Sequence, residues 1–305
     1  MVIGANLPDV DAFVYLMGDG ATGLAFRRGW THGVQAMLVL PILLAGIMTL
    51  VGHALDARRA RRRRPPVGQP VIASQLLLVA AISIWTHPLF DLLNTYGVRL
   101  LMPFSSRWFY GDTLFIIDPW VWLALGTGTF MSLRRARAVP VGAGSPTVMA
   151  RAHRPARFAV AAVAAYIGIM AVSSWVGRIL VERQAVAATG VAAERVMVAP
   201  DPLTPFTRSV VRDLGASYEV GRLTWWPRVK YEASAERIPK LSPQIANAAS
   251  ATLDGRKFLS WSRFPFADTT AGAQGIRLDD VRYARPGQRS FASVVIPMNP
   301  AVPAR

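Results

Sequence analysis

Four long apolar runs constrain the fold of this chain more than any other feature of its sequence. They cover residues 34–52, 71–93, 114–133 and 158–181. Each is close to the roughly 20 residues that an α-helix needs to cross about 30 Å of hydrocarbon. Lipid offers the backbone no hydrogen-bond partners, so we expect all four runs to be helices. The sequence therefore predicts an α-helical membrane domain with four spans.

Composition and charge agree with a membrane protein. Only 17% of the 305 residues are charged, whereas soluble domains have about 25%. The net charge of +16 could also indicate nucleic-acid binding. However, the arginines concentrate beside apolar runs, at residues 58–64 and 134–157, as they do in cytoplasmic loops. We therefore interpret the charge as topology and expect no nucleic-acid partner.

The arginine clusters predict an orientation in a bacterial cytoplasmic (inner) membrane. An even number of predicted spans separates the clusters, so both can be cytoplasmic. Residues 1–33, 94–113 and everything after 181 then lie outside. The sequence divides into a membrane domain, residues 1–181, and an extracytoplasmic domain, residues 182–305. Short alternating stretches in the second domain predict a small, strand-rich α+β fold, with strands at 195–200, 217–223 and 290–297 and a helix at 243–252.

The start of the chain and its lack of cysteine add two constraints. With no cysteine, disulfides and thiolate chemistry are excluded. Residues 1–5 are typical of the tail of an apolar helix, which leads us to expect a further helix upstream. The alternative is a short amphipathic start.

His87 and Asp91 form the first candidate pair for chemistry. They lie four residues apart near the end of an apolar run, and residues so spaced share a helix face. A histidine and a carboxylate placed this way can both bind one metal, or the carboxylate can orient the imidazole. The alternative is interfacial, with Asp91 capping the helix and His87 among the headgroups.

Asp9, Asp11 and His32 are the other candidate ligands on the predicted outer side. In an extended segment both carboxylates of Leu7-Pro8-Asp9-Val10-Asp11 would face one side and favour a cation; the alternative is a capping turn. His32 ends the segment Arg27-Arg28-Gly29-Trp30-Thr31-His32, and neutral imidazole is a common metal ligand. Arg28 could clamp an anionic group, or both arginines could snorkel to the interface.

The loop between the second and third runs supplies weaker candidates. Arg107 and Asp112 are either substrate contacts or a loop ion pair. Asp118 is either a site residue or a helix-start carboxylate. His53 and His153 adjoin the arginine clusters on the opposite side, so we expect neither to be a ligand.

These motifs together resemble the YdjM-like family of LexA-regulated inner-membrane proteins, which are described as membrane-bound metal-dependent hydrolases. The family pattern of Leu-Pro-Asp-x-Asp, His-Arg-Gly-x-Thr-His and His-x-x-x-Asp-x-x-x-Thr with a Gly matches in order and spacing across about 110 residues. It falls on residues 7–11, 27–32 and 87–95, with Gly97. The longer family members also carry a C-terminal extracytoplasmic domain.

The match has two departures. Arg27 stands where the family often has a histidine, and the family's usual first helix, with a histidine near its start, would precede Met1. The family is in turn reminiscent of zinc-dependent phospholipase C and P1 nuclease-like enzymes, which hold zinc with His and Asp for phosphodiester hydrolysis.

The sequence thus favours a metal-dependent hydrolase at the outer face of the membrane. Divalent metal, most simply zinc, would be held by five residues: Asp9, Asp11, His32, His87 and Asp91. Four more are candidate catalytic residues: Arg28, Thr31, Arg107 and Asp112. The expected partners are membrane lipid and a lipid-linked phosphoester. The alternative is a non-enzymatic membrane protein with a structural Asp/His cluster and a partner-binding periplasmic domain; too few spans argue against a transporter.

Overall fold

The computed structural model describes residues 1–17, 20–65, 72–140, 144–268 and 275–297. The helices in these ranges are α1 (Val2–Asn6), α2 (Val14–Met17), α3 (Gly20–Phe26), α4 (Val34–Arg61), α5 (Ala73–Leu92), α6 (Pro119–Arg137), α7 (Pro146–Ala152), α8 (Arg154–Thr189), α9 (Pro243–Ala251) and α10 (Leu253–Trp261), with a 3-10 helix over Pro8–Phe13. The strands are β1 (Arg195–Pro200), β2 (Thr207–Asp213), β3 (Ser217–Thr224), β4 (Lys230–Pro239), β5 (Pro265–Asp268), β6 (Ile276–Asp280) and β7 (Val294–Ile296).

The predicted architecture of membrane helices followed by a strand-rich region is confirmed. Helices α4, α5 and α8 are long and apolar enough to cross a membrane. Their lengths of 28, 20 and 36 residues correspond to about 42, 30 and 54 Å at 1.5 Å per residue. Thus α8 exceeds the thickness of the hydrocarbon core and extends beyond it.

The third predicted span begins later than the sequence suggested. Residues 114–118 are not helical, and α6 starts at Pro119 because Asp118 caps it, accepting hydrogen bonds from the backbone N–H groups of Trp120 and Val121. Asp118 is therefore a helix-start carboxylate. The apolar part of α6 ends before Arg134, and α6 is not among the described helices that are long and apolar enough to cross a membrane. The predicted orientation depends on this span and stays a prediction.

The strands form two antiparallel sheets rather than one. The first sheet has the order β1-β2-β3-β4 and packs on the second half of α8, where Val181 joins a core with Val198, Val210 and Leu223. The second sheet has the order β5-β6-β7. It shares a core with α10 and α3 that contains Phe258, Trp261, Leu278 and Leu24.

Contacts divide the chain into two units. One comprises Met1–Tyr110 with Leu241–Arg305, and the other Gly111–Lys240. The second sheet therefore packs with the N-terminal helices, whereas the first sheet packs on α8, which also packs against α6. The boundary predicted at residue 181 was drawn from membrane topology, which contacts do not measure, and stays a prediction.

Candidate metal centre

Two short segments and one membrane helix carry the candidate ligands. The 3-10 helix carries Asp9 and Asp11, so this segment is helical and not extended as the sequence suggested. The turn after α3 carries His32, two residues before α4 begins. Helix α5 continues through Pro88 and carries His87 and Asp91 one turn apart in its last turns.

Close packing of α1 on α5 fixes the His87 imidazole. A side chain at Gly4 would lie 2.1 Å from Ser83 Oγ, so only glycine permits this approach. The neighbouring carbonyl oxygen of Ala5 then lies 2.6 Å from His87 Nδ1. Because that nitrogen donates to the carbonyl, Nε2 is the ring atom left with a free lone pair.

His32 is oriented by a carboxylate in the same way. Its side chain is fully buried, and its Nδ1 lies 3.4 Å from Asp11 Oδ2 and 2.9 Å from Thr31 Oγ1. Asp11 also accepts hydrogen bonds from Thr31 Oγ1 and the backbone N–H of Arg28, both at 2.8 Å. Asp11 and Thr31 therefore contact His32 from behind and leave Nε2 free.

Four electron-rich atoms face one another at the centre of this arrangement. His32 Nε2 lies 3.2 Å from Asp91 Oδ2 and 3.9 Å from Asp9 Oδ1, and His87 Nε2 lies 3.6 and 3.5 Å from the same two oxygens. Within the described part of the chain, His32 Nε2, His87 Nε2 and Asp91 Oδ2 are buried without a hydrogen-bond partner. Such atoms are costly unless a cation or protons lie between them.

The spacing of these atoms fits a metal ion. Ligand bonds of about 2.0–2.1 Å in a tetrahedron place neighbouring ligand atoms about 3.3 Å apart, close to the distances observed. Asp9, His32 and His87 could hold a metal ion, with ligand atoms within 4.8 Å of one another, and Asp91 Oδ2 adjoins them. Nitrogen and carboxylate donors suit zinc and related divalent metals.

Arg28 holds the second oxygen of Asp91. Its Nη2 lies 2.8 Å from Asp91 Oδ1, its Nη1 donates to Asn94 Oδ1 at 3.0 Å, and its guanidinium stacks on Tyr96 at 4.6 Å. Arg28 is 5% exposed, so it does not snorkel. These contacts turn Asp91 Oδ2 towards the histidines.

The charged groups of the cluster shift one another's protonation. His87, followed by Arg27 and His32, holds the pKa of Asp9 well below its usual range despite partial burial. Burial raises the pKa of Asp11, but His32 and Thr31 outweigh it, so that pKa is lowered. For His32, burial has the opposite effect and lowers the pKa. The carboxylates of Asp11 and Asp91 outweigh burial, so the pKa of His32 is raised above its ordinary value. The carboxylates of Asp11 and Asp91 thus favour a positive charge at His32.

The remaining predicted site residues lie in different surroundings. Arg107 is exposed, with its guanidinium over the Phe109 ring at 5.4 Å. Asp112 is fully buried, lies 3.3 Å from Arg178 of α8, and its backbone carbonyl accepts a hydrogen bond from Ser174. Their predicted roles as substrate contacts stay predictions.

Sequence reasoning missed two residues of the cluster. Arg27 Nη2 lies 2.7 Å from Asp9 Oδ1, and its Nε lies 3.4 Å from Asp11 Oδ1. Asn94 Oδ1 accepts hydrogen bonds from the backbone N–H groups of Tyr96 and Gly97 as well as from Arg28. Asn94 lies in the turn after α5, which ends at Leu92, so helical spacing from Asp91 does not identify it.

The fold and this cluster define a membrane protein with an Asp/His group that could hold a metal. The chain belongs to the YdjM family, since the family model described as "YdjM inner membrane protein" matches residues 1–176. It is also 24% identical over 145 residues to the "Uncharacterized protein YfhP" of Bacillus subtilis (strain 168), an alignment that covers 48% of this chain and 37% of that protein. The alignment thus spans a little over a third of the relative's length. No solved structure matches the chain.

Proposed function

We propose that the protein is a membrane-bound metal-dependent hydrolase that acts at the outer face of the cytoplasmic membrane on a lipid or lipid-linked phosphoester. The observation that carries this proposal is the convergence of Asp9 Oδ1, His32 Nε2, His87 Nε2 and Asp91 Oδ2 at 3.2–3.9 Å. In this proposal those four atoms hold one divalent metal, zinc in the simplest case, and Asp11 orients His32.

The exposure of the cluster supports catalysis over a purely structural site. Four protein ligands fill a tetrahedral zinc site, so catalysis here needs a fifth position that is open to water, and zinc can expand to five ligands. The Asp9 side chain is 41% exposed, while that of His32 is fully buried, so the cluster opens on its Asp9 side. When bound there, a divalent metal supplies a Lewis acid and lowers the pKa of a water to near 7.

Arg27 is the cation best placed to hold an anionic group at the open side. The Arg27 side chain is 20% exposed and lies beside Asp9. Arg28, which the sequence suggested for this role, is only 5% exposed, and both of its Nη atoms are engaged with Asp91 and Asn94. In this proposal Arg27 holds a phosphoryl oxygen and stabilises charge that develops there, while Arg28 positions Asp91.

A lipid-like substrate follows from the position of the cluster along the membrane helices. His32 precedes the start of α4 by two residues, and Asp91 is one residue from the end of α5. In this proposal the ligands lie where the α4–α5 hairpin leaves the hydrocarbon, at headgroup depth. The arginines at residues 58–64 lie at the other end of α4, which supports an outer location for the cluster.

The test is turnover by purified, zinc-loaded protein in nanodiscs. Phospholipids and a generic phosphodiester such as bis(p-nitrophenyl) phosphate would be offered to the wild-type protein, to Asp91→Asn and to His153→Ala. His153 is exposed in the arginine-rich segment, so it serves as the matched control. We expect hydrolysis by wild type and His153→Ala and loss in Asp91→Asn. Stoichiometric metal without turnover of any phosphoester would overturn the hydrolase and favour the non-enzymatic alternative.

A further inference from the structure

The first sheet presents large apolar side chains at one of its two ends. The β1–β2 turn, residues 201–206, and the β3–β4 turn, residues 225–229, lie at the same end, and the backbone N–H of Trp225 donates to the carbonyl oxygen of Phe206 at 2.8 Å. Leu203, Phe206 and Trp226 are 73%, 54% and 72% exposed there. We call these two turns the lipid edge.

Contacts with α8 show which way this end points. Arg208 donates to Ser173 Oγ at 2.9 Å, and four residues later Arg212 Nε donates to Glu182 Oε2 at 3.1 Å. Four strand residues and nine helical residues both span about 13 Å. Strand β2 therefore runs alongside α8, with its Thr207 end towards the helix N-terminus.

The charges of α8 locate the membrane relative to that strand. After Arg157 the helix has no charged residue until Arg178, and the 20 residues between them span about 30 Å, the thickness of the hydrocarbon core. Ser173 lies inside this uncharged stretch and Glu182 beyond it. The lipid edge adjoins the Arg208 end of β2, so it lies beside the uncharged stretch of α8.

Contacts with the first turn of α6 support the same depth. Trp120 Nε1 donates to the carbonyl oxygen of Leu203 at 3.2 Å, and Tyr166 of α8 donates to Asp118 at the start of α6 at 3.1 Å. The lipid edge thus lies level with a helix start and with the uncharged part of α8. The exposed Arg228 beside Trp226 adds a cation that suits lipid phosphate.

We propose that the lipid edge inserts Leu203, Phe206 and Trp226 into the leaflet from which the C-terminal half of α8 emerges. Tryptophan suits the outer part of a leaflet because its ring is apolar and its N–H is polar. The bilayer is the occupant because the edge lies beside the uncharged stretch of α8, whereas Arg212 nearer the opposite end of the sheet lies beside the charged Glu182. This contact fixes the orientation of the sheet on the membrane and does not depend on the hydrolase proposal.

The absence of cysteine allows a direct test on the full chain. Single variants Leu203→Cys, Trp226→Cys and the control Ala216→Cys would carry an NBD fluorophore in nanodiscs of phosphatidylcholine and phosphatidylglycerol. Ala216 is exposed in the β2–β3 turn at the opposite end of the same sheet. These side chains are exposed, so the substitutions leave the core intact.

We expect blue-shifted emission at positions 203 and 226 that a doxyl lipid quenches and aqueous iodide does not, with the reverse at position 216. Iodide quenching at 203 and 226 equal to that at 216 would overturn the proposal. Blue-shifted emission that doxyl lipid fails to quench would also overturn it, because a second copy of the chain or another protein would then cover the edge.

Discussion

His32 Nε2 lies 3.2 Å from Asp91 Oδ2, and within the described part of the chain neither atom has a hydrogen-bond partner. The two residues are 59 positions apart in sequence, yet each is held from behind: His32 by Asp11 and Asp91 by Arg28. Asp11 and Arg28 therefore orient the two side chains so that His32 Nε2 and Asp91 Oδ2 face each other. This is the arrangement expected around a bound cation.

Asp11→Asn should weaken metal binding without abolishing it. The amide keeps the shape of the side chain but loses the charge that favours donation by His32 Nδ1, and such changes typically cost about 10–100-fold in metal affinity. The measurement is a zinc titration of the apoprotein against a competing chelator. An unchanged affinity would contradict the role given to Asp11, and complete loss would instead make it a ligand.

Arg27→Gln should strengthen metal binding, which is the opposite of the effect expected for Asp11→Asn. The guanidinium contacts Asp9 Oδ1 at 2.7 Å, the same oxygen that faces His87, and its charge repels a metal ion. We expect the variant to bind zinc several-fold more tightly in the same titration. Arg107→Gln is the matched control, because Arg107 is exposed and stacked on Phe109. Weaker binding in Arg27→Gln alone would show that Arg27 supports the site and does not compete with the metal.

Asp280, in strand β6 of the second sheet, should make the free energy of unfolding depend on pH. This buried carboxylate accepts hydrogen bonds from Arg282, whose Nη1 donates to the carbonyl oxygen of Thr95 at 2.8 Å. Burial alone would raise the pKa of Asp280, but Arg282 outweighs it and lowers the pKa to about 2. The folded pKa lies below the unfolded value, so the stabilisation is complete above about pH 4 and is lost as the pH falls through about 2.

Thermal unfolding of Asp280→Asn and wild type at several pH values measures this effect. The gap between their melting temperatures should be largest near neutral pH and should shrink between pH 4 and 2. A gap that does not change with pH would show that the charge of Asp280 contributes nothing to folding.

Sequence alone predicted the long helices and most of the cluster. The spacing of His87 and Asp91 in an apolar run was sufficient, because a membrane helix fixes which residues share a face. The strands predicted at 195–200 and 217–223 followed from the alternation of apolar and polar residues, and the structure has them at Arg195–Pro200 and Ser217–Thr224. The 3-10 conformation of Pro8–Phe13 and the late start of α6 depend on local capping, which hydropathy does not report.

What sequence could not predict was which polar residue partners which. Arg27 and Arg28 are adjacent, but Arg27 contacts Asp9 while Arg28, with a φ of 54°, contacts Asp91. The packing of residues 241–297 with the N-terminal helices was also missed. Arg282 contacts the backbone of Thr95 across 187 positions, a separation that no periodic pattern reveals.

The central claim is that Asp9, His32, His87 and Asp91 bind a metal, and elemental analysis of detergent-purified protein tests it most directly. Wild type would be compared with His87→Ala and Asp91→Asn, and with His53→Ala as a control at an exposed histidine near the cytoplasmic end predicted for α4. The account predicts one zinc or similar divalent ion per chain in wild type and His53→Ala, and its loss in the other two. Metal that persists in both His87→Ala and Asp91→Asn, or zinc-reconstituted wild-type protein that retains none, would contradict it.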